Sequence, residues 1–205
     1  MMLPMPERPE ETIIGLMSLV QGMGKRELIK PGVIIPSDGP DIIIFHEGEV
    51  ELRRKSDDLL LFSSENRQLI GLPMSETYQR FCYLHTNSVC DIELVERNAF
   101  FQAVETKHRW LDVITVLSYY HAVFLWRDSY AHTKSSYLVV RHLLLQLSLM
   151  SEDKRYHINI TEFIQERTNL SRSYIMKVLS DLKLGGYITL KKGRLLELNY
   201  LPIKY

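Results

Sequence analysis

The sequence predicts an α+β chain: a roll of short antiparallel strands, then a long helix, then a small helical domain closed by a hairpin. Three observations predict it. Short apolar runs and turn clusters follow one another closely between about residues 30 and 95. Apolar residues then recur at helical spacing from about 98 to 132. The last fifty or so residues read as helix, tight turn, helix and hairpin. Strands at short, regular intervals fit an antiparallel roll better than a parallel sheet, which needs long crossovers.

The first region sets the roll at residues 1–97. Val33-Ile34-Ile35 runs into the turn cluster 36–40, and Ile42-Ile43-Ile44-Phe45 is a strand. His46-Glu47-Gly48 turns into Glu49-Val50-Glu51-Leu52, which alternates as a half-buried strand does. Leu59 to Phe62 and Arg80 to Leu84 continue the series. Glu47, Glu49 and Glu51 are expected on one solvent-facing strand edge rather than in a catalytic set. A two-residue turn at Thr86-Asn87 would pair 85 with 88 and 83 with 90. It would place Cys82 and Cys90 on opposite faces, away from a bridge.

Residues 98–133 are expected to form a dimerisation helix. Trp110, Ile114, Leu117, His121 and Phe124 follow the 4-3-4-3 spacing of a coiled-coil seam. The neighbouring stripe Val113, Val116, Tyr120 and Val123 is equally apolar. A helix apolar on two faces must be covered on both. The roll covers one face, and the same helix of a second subunit is expected on the other; a core helix of a single subunit is the alternative.

Residues 134–205 carry the most specific signal. A helix over Tyr137–Leu149 leads in. Asn159 can cap a second helix, with Glu162 three residues on as in a capping box. That helix stops near Thr168-Asn169. Ser171 then caps a third helix, with Leu170 and Ile175 spaced as a hydrophobic staple. Ile175, Val178, Leu179 and Leu182 make its buried stripe, and Gly185-Gly186 ends it. Two strands, 187–190 and 195–198, flank Lys191-Lys192-Gly193-Arg194. Helix, turn, helix and basic-tipped hairpin is a winged helix-turn-helix. Its outward residues, Ser171, Arg172, Ser173, Met176, Lys177 and Ser180, would enter a major groove. Lys191, Lys192 and Arg194 would neutralise phosphates.

The charge distribution agrees. The chain is neutral overall, yet residues 134–205 hold 12 Lys+Arg against 6 Asp+Glu, and the remainder 13 against 19. A basic half on an acidic one suggests a nucleic-acid partner. The start of the sequence shows no secretory pattern, and the most apolar run, 111–126, is too short to span a bilayer. Two cysteines suit a reducing cytoplasm and cannot alone hold an iron–sulfur cluster. The seven histidines are scattered, and no GxSxG, P-loop or HExxH is present. The chain is read as a non-enzyme with no cofactor and no metal.

On Leu170-Ser171-Arg172-Ser173-Tyr174-Ile175-Met176-Lys177-Val178-Leu179 the sequence resembles the family of the catabolite activator protein and the fumarate–nitrate regulator (CRP/FNR). Arg172 and Lys177 match that family's base-reading positions, whereas Ser173 stands where an acidic residue is common. More weakly, 46–52 resembles its glycine-turn strand and 70–92 its ligand cassette, making the roll cyclic-nucleotide-binding-like. The cassette is degenerate: Leu72 follows Gly71 where a Glu holds the ribose, and Phe81 follows Arg80 where a small hydroxyl residue meets the phosphate. A closer resemblance within that family implies a cytoplasmic bacterial transcription regulator linked to hydrogen peroxide resistance, and the degenerate cassette implies one not controlled by cyclic AMP. Double-stranded DNA and a second copy of the chain are its expected partners, RNA polymerase a further candidate. No membrane and no cyclic nucleotide are expected. The alternative function is a protein-interaction module that uses the winged helix to bind another protein. Cys82 and Cys90 are read as small buried hydrophobes, with redox sensing as the alternative.

Overall fold

The computed structural model describes residues 4–36, 39, 41–73, 81–131 and 135–203. They fall into two compact units, Met5–Phe124 and one built on Leu125–Tyr205. The first unit opens on α1 (Glu10–Leu19), which buries Ile13, Leu16 and Met17. Among the described residues eight strands follow: β1 (Lys25–Ile29), β2 (Ile34–Pro36), β3 (Asp41–Glu47), β4 (Val50–Arg54), β5 (Leu60–Ser64), β6 (Gln68–Ile70), β7 (Cys82–Thr86) and β8 (Cys90–Glu96). They build two antiparallel four-stranded sheets, β1-β8-β3-β6 and β2-β7-β4-β5. The unbroken apolar run of β3 has a plain cause: the strand is covered on both faces. Ile42 and Ile44 join a cluster with α1, Leu69 and Phe100. Ile43 and Phe45 join Val50, Leu84, Cys90 and Ile92 between the sheets. Burial of side chains from both sheets is what holds a roll of this size together.

Three expectations for this unit are corrected. β7 and β8 lie in different sheets, so 83 does not pair with 90; β7 lies between β2 and β4 instead. Both cysteines are buried, on strands of different sheets. The carboxylates Glu47, Glu49 and Glu51 do not share a face, because Gly48 at φ 106° turns the chain between β3 and β4. Glu51 is buried, and Arg53 Nε donates to its carboxylate at 2.7 Å. The single helix expected over about 98–132 is two, α2 (Arg97–Thr106) and α3 (Trp110–Ala131). His108 between them sits at φ 54°, a left-handed conformation that ends a helix. Glu96 caps α2 through the amides of Asn98 and Ala99.

The second unit contains α4 (Ser136–Ser148), α5 (Glu152–His157), α6 (Ile160–Arg167), α7 (Arg172–Leu184), and the hairpin of β9 (Ile188–Lys191) and β10 (Arg194–Leu198). The segment expected only to end α4 forms the short α5, with Ser151 as its N-cap residue. One cluster, including Leu143, Leu147, Phe163, Ile164, Ile175, Val178 and Leu195, unites these elements.

His142 on α4 is 7% exposed, stacks on Tyr130 with ring centroids 3.7 Å apart, and meets Gln146 at 2.8 Å. Burial, with Arg141 adding to it, lowers its pKa to about 4. The unfolded imidazole titrates near 6.5, so protons bind the unfolded chain first as pH falls. The stability of the neutral packed ring is therefore present above pH 6.5 and lost on acidification. From pH 7 to pH 5 this group should remove about 2 kcal/mol. Urea unfolding of wild type and His142→Phe at both pH values checks it: the variant should lose this part of the acid sensitivity. An equal pH slope in both would contradict the assignment.

Candidate nucleic-acid interface

The interface is built by local signals. Asn159 Oδ1 accepts from the amides of Thr161 and Glu162, which starts α6. Ser171 Oγ accepts from the amide of Tyr174 at 3.3 Å, which starts α7. Leu170 packs on the same cluster as the fully buried Ile175, as a staple requires. Ile175, Val178, Leu179 and Leu182 are all buried. The opposite face presents Arg172, Ser173, Met176, Lys177 and Ser180, every one exposed, with Ser171 at its start. α7 is thus held by its apolar stripe while a mixed basic and polar face stays free. Gly185 caps the helix and Gly186 takes φ 71°.

The hairpin loop is Lys192-Gly193, with Lys191 paired to Arg194. Both loop residues have positive φ, 50° and 77°, as a two-residue hairpin turn demands. The carbonyl of Gly193 accepts from the amide of Ile160 at 2.9 Å, tying the hairpin tip to the start of α6. Lys191 and Lys192 are exposed. Arg194 is half-buried, its guanidinium 4.7 Å from the centroid of the Tyr156 ring. That cation–π contact holds the guanidinium against the ring.

Two supporting residues were not singled out by sequence. Gln165 on α6 accepts from Arg172 Nη1 at 3.2 Å and so orients the first basic residue of α7. Thr161 Oγ1 lies 3.4 Å from Met176 Sδ. Both sit where α6 crosses α7, and the seven-residue gap from 165 to 172 gave no periodic clue.

The other predicted residues lie in the first unit. Gly71 takes φ 97°, and Leu72 is buried in the apolar core. Phe81 is 63% exposed. Arg80 lies outside the described residues. Cys82 and Cys90 are buried, and burial pushes both thiols up, away from the reactive thiolate. On α3, Trp110 stacks on Phe101 and its Nε1 donates to Glu105. Ile114 and His121 are exposed, whereas Leu117 packs against the core and Phe124 is half-buried. Leu111, outside the predicted seam, is 73% exposed. Val113 and Val116 face the core, and Tyr120 donates from its hydroxyl to the carbonyl of Leu69 at 2.9 Å.

A two-sheet roll and a winged helix-turn-helix on one chain make up a fold that this chain shares with a solved structure of the CRP/FNR family. Residues 136–203 match the family model for winged helix-turn-helix DNA binding. Among solved structures, the c-di-GMP-responsive global regulator CLP of Xanthomonas campestris superposes with TM-score 0.71, at 16% identity, over 92% of this chain and 100% of that one. A CRP/FNR-family regulator from Eubacterium rectale superposes with TM-score 0.64, at 15% identity, over 90% of each chain. The particular resemblance is to the inhibitor of hydrogen peroxide resistance of Escherichia coli K12, 28% identical over 176 residues, 84% of each chain. No described helix is long and apolar enough to cross a membrane.

Proposed function

We propose that this protein is a sequence-specific regulator of transcription that binds duplex DNA as a homodimer, takes part in hydrogen peroxide resistance, and is not controlled by cyclic AMP. The observation that carries DNA binding is the exposed face of α7, with Arg172 and Lys177 on it and Lys191 and Lys192 on the adjoining hairpin. These four cations stand on elements whose other faces are buried, so the chain holds them in place while leaving them solvated. The link to peroxide rests on the name of the E. coli relative. Independence from cyclic AMP rests on Leu72, an apolar side chain where the resembling pattern has the carboxylate that holds the ribose.

Anisotropy titrations on a random duplex over a range of salt test the first part. Affinity should fall steeply, with log K against log salt sloping at roughly −0.9 per phosphate neutralised. A flat slope would point instead to a protein partner for the winged helix.

The dimer contact is assigned to the outer face of α3. Ile114, 57% exposed, is the clean position to probe, since Leu117 also supports the core. Ile114→Asp should leave folding intact and shift the sedimentation mass to that of a monomer. A variant that stays dimeric would remove α3 from the interface.

A further inference from the structure

The first unit has a concave site of about 280 Å³, walled by residues of α1, β1, β3 and β8 and by Arg67, which precedes β6. Most of the charges around it are already matched. Arg26 grips Asp91 through two bonds, Nε to Oδ1 at 2.8 Å and Nη2 to Oδ2 at 2.5 Å. His46 Nε2 meets the carboxylate of Glu93 at 3.1 Å. Glu93 is 3% exposed and also accepts from the amides of Gly22 and Gly24, at 2.9 and 3.0 Å. Charge-assisted bonds of this kind satisfy both partners within the protein.

Two wall residues depart from that pattern. Glu47 ends β3 and Arg67 precedes β6, and both line the site. Among the described residues neither side chain has a hydrogen-bond or ion-pair partner. One cation and one anion therefore face the same space, each without an opposite charge. The same wall offers hydrocarbon from Ile14 and Met17, and neutral polar groups from Ser18 and Gln21. A simple anion would be drawn to Arg67 but repelled by Glu47. A ligand that carries both charges on one carbon, with an apolar group beside them, matches all three features of the wall.

We propose that this site binds a free α-amino acid with a hydrocarbon side chain, as its zwitterion. Arg67 takes the carboxylate, for which the guanidinium fork is well shaped. Glu47 takes the ammonium, and the side chain lies over Ile14 and Met17. Each unmatched charge of the wall then gains its opposite, and the net charge of the protein is unchanged on binding. The inference goes beyond DNA binding and does not depend on it, since it concerns only the first unit.

The test is calorimetry on the full chain with three probes of one carbon skeleton. They are L-leucine, 4-methylpentanoate, which lacks the ammonium, and 3-methylbutylamine, which lacks the carboxylate. L-Leucine should bind at least about tenfold more tightly than either, the worth of one charge-assisted hydrogen bond. Arg67→Gln should weaken L-leucine by about the same factor and leave 3-methylbutylamine unchanged. Glu47→Gln should weaken L-leucine as much and leave 4-methylpentanoate unchanged. Both side chains are exposed, so both variants should melt with wild type. Inorganic phosphate should give no heat. Absence of heat from L-leucine, equal affinity for the three probes, or wild-type affinity for L-leucine in either variant would overturn the proposal. So would binding of phosphate, which would make this an anion site, or a lowered melting temperature in either variant, which would show that its charge already had a partner.

Discussion

Arg172→Ala is expected to cost roughly 1–3 kcal/mol per half-site on the preferred DNA and to relax discrimination between that site and random duplex. The guanidinium lies in the first turn of α7, the part of such a helix that meets base edges. Gln165 holds it from α6, so its fork is oriented before DNA arrives and less freedom is lost on binding. Lys177 lies about 7.5 Å further along the axis at ~1.5 Å per residue. Both residues can therefore reach one groove. In a symmetric dimer each substitution removes two contacts, so the loss for the whole assembly rises to about twice these values.

Lys192→Ala supplies the contrast. It stands at the hairpin tip, which can reach only phosphates or the minor groove. Its loss should weaken all sequences about equally and flatten the salt slope by roughly one unit per tip. Salt titrations of each variant on a selected site and on random duplex separate the two outcomes. Should Arg172→Ala keep wild-type discrimination, α7 would not be the reading helix.

The second unit was legible because its signals are local. Asn159, Ser171 and Gly185 mark helix ends within four residues of the groups they cap, and the stripe from Ile175 to Leu182 repeats at helical period. The first unit was legible only in outline. Strand existence follows from short apolar runs, but pairing depends on partners far along the chain. Thr86-Asn87 looks like a hairpin turn; the chain there passes from one sheet to the other. Glu51 looks like a surface carboxylate; Arg53, two residues on, shares its strand face, and only the fold brings His85 to its side. Helix α1 went unread because Glu10-Glu11 after Pro9 resembles an acidic, solvated start.

Gly48→Ala should be among the most damaging single-methyl additions to this chain, costing on the order of 2–5 kcal/mol. Two effects combine. Gly48 sits at φ 106°, a conformation that strains any L side chain by about 1–2 kcal/mol. Its added Cβ would also stand 2.6 Å from the carbonyl oxygen of Val89 and 2.7 Å from Cys90 Cα, and overpacking of that kind typically costs roughly 1–3 kcal/mol. Both neighbours are backbone, so relief requires moving the entry to β8, whose pairings with β1 and β3 hold one sheet together. Gly22 separates the two effects. It too has positive φ, 77°, but a Cβ there would meet nothing within 4 Å. Gly22→Ala should show the backbone strain alone, about 1–2 kcal/mol. Urea unfolding of the two variants beside wild type measures the difference directly. If Gly48→Ala proved no worse than Gly22→Ala, the close approach of the β3–β4 turn to the start of β8 would not exist in solution, and the sheet crossing that shapes the roll would need another support.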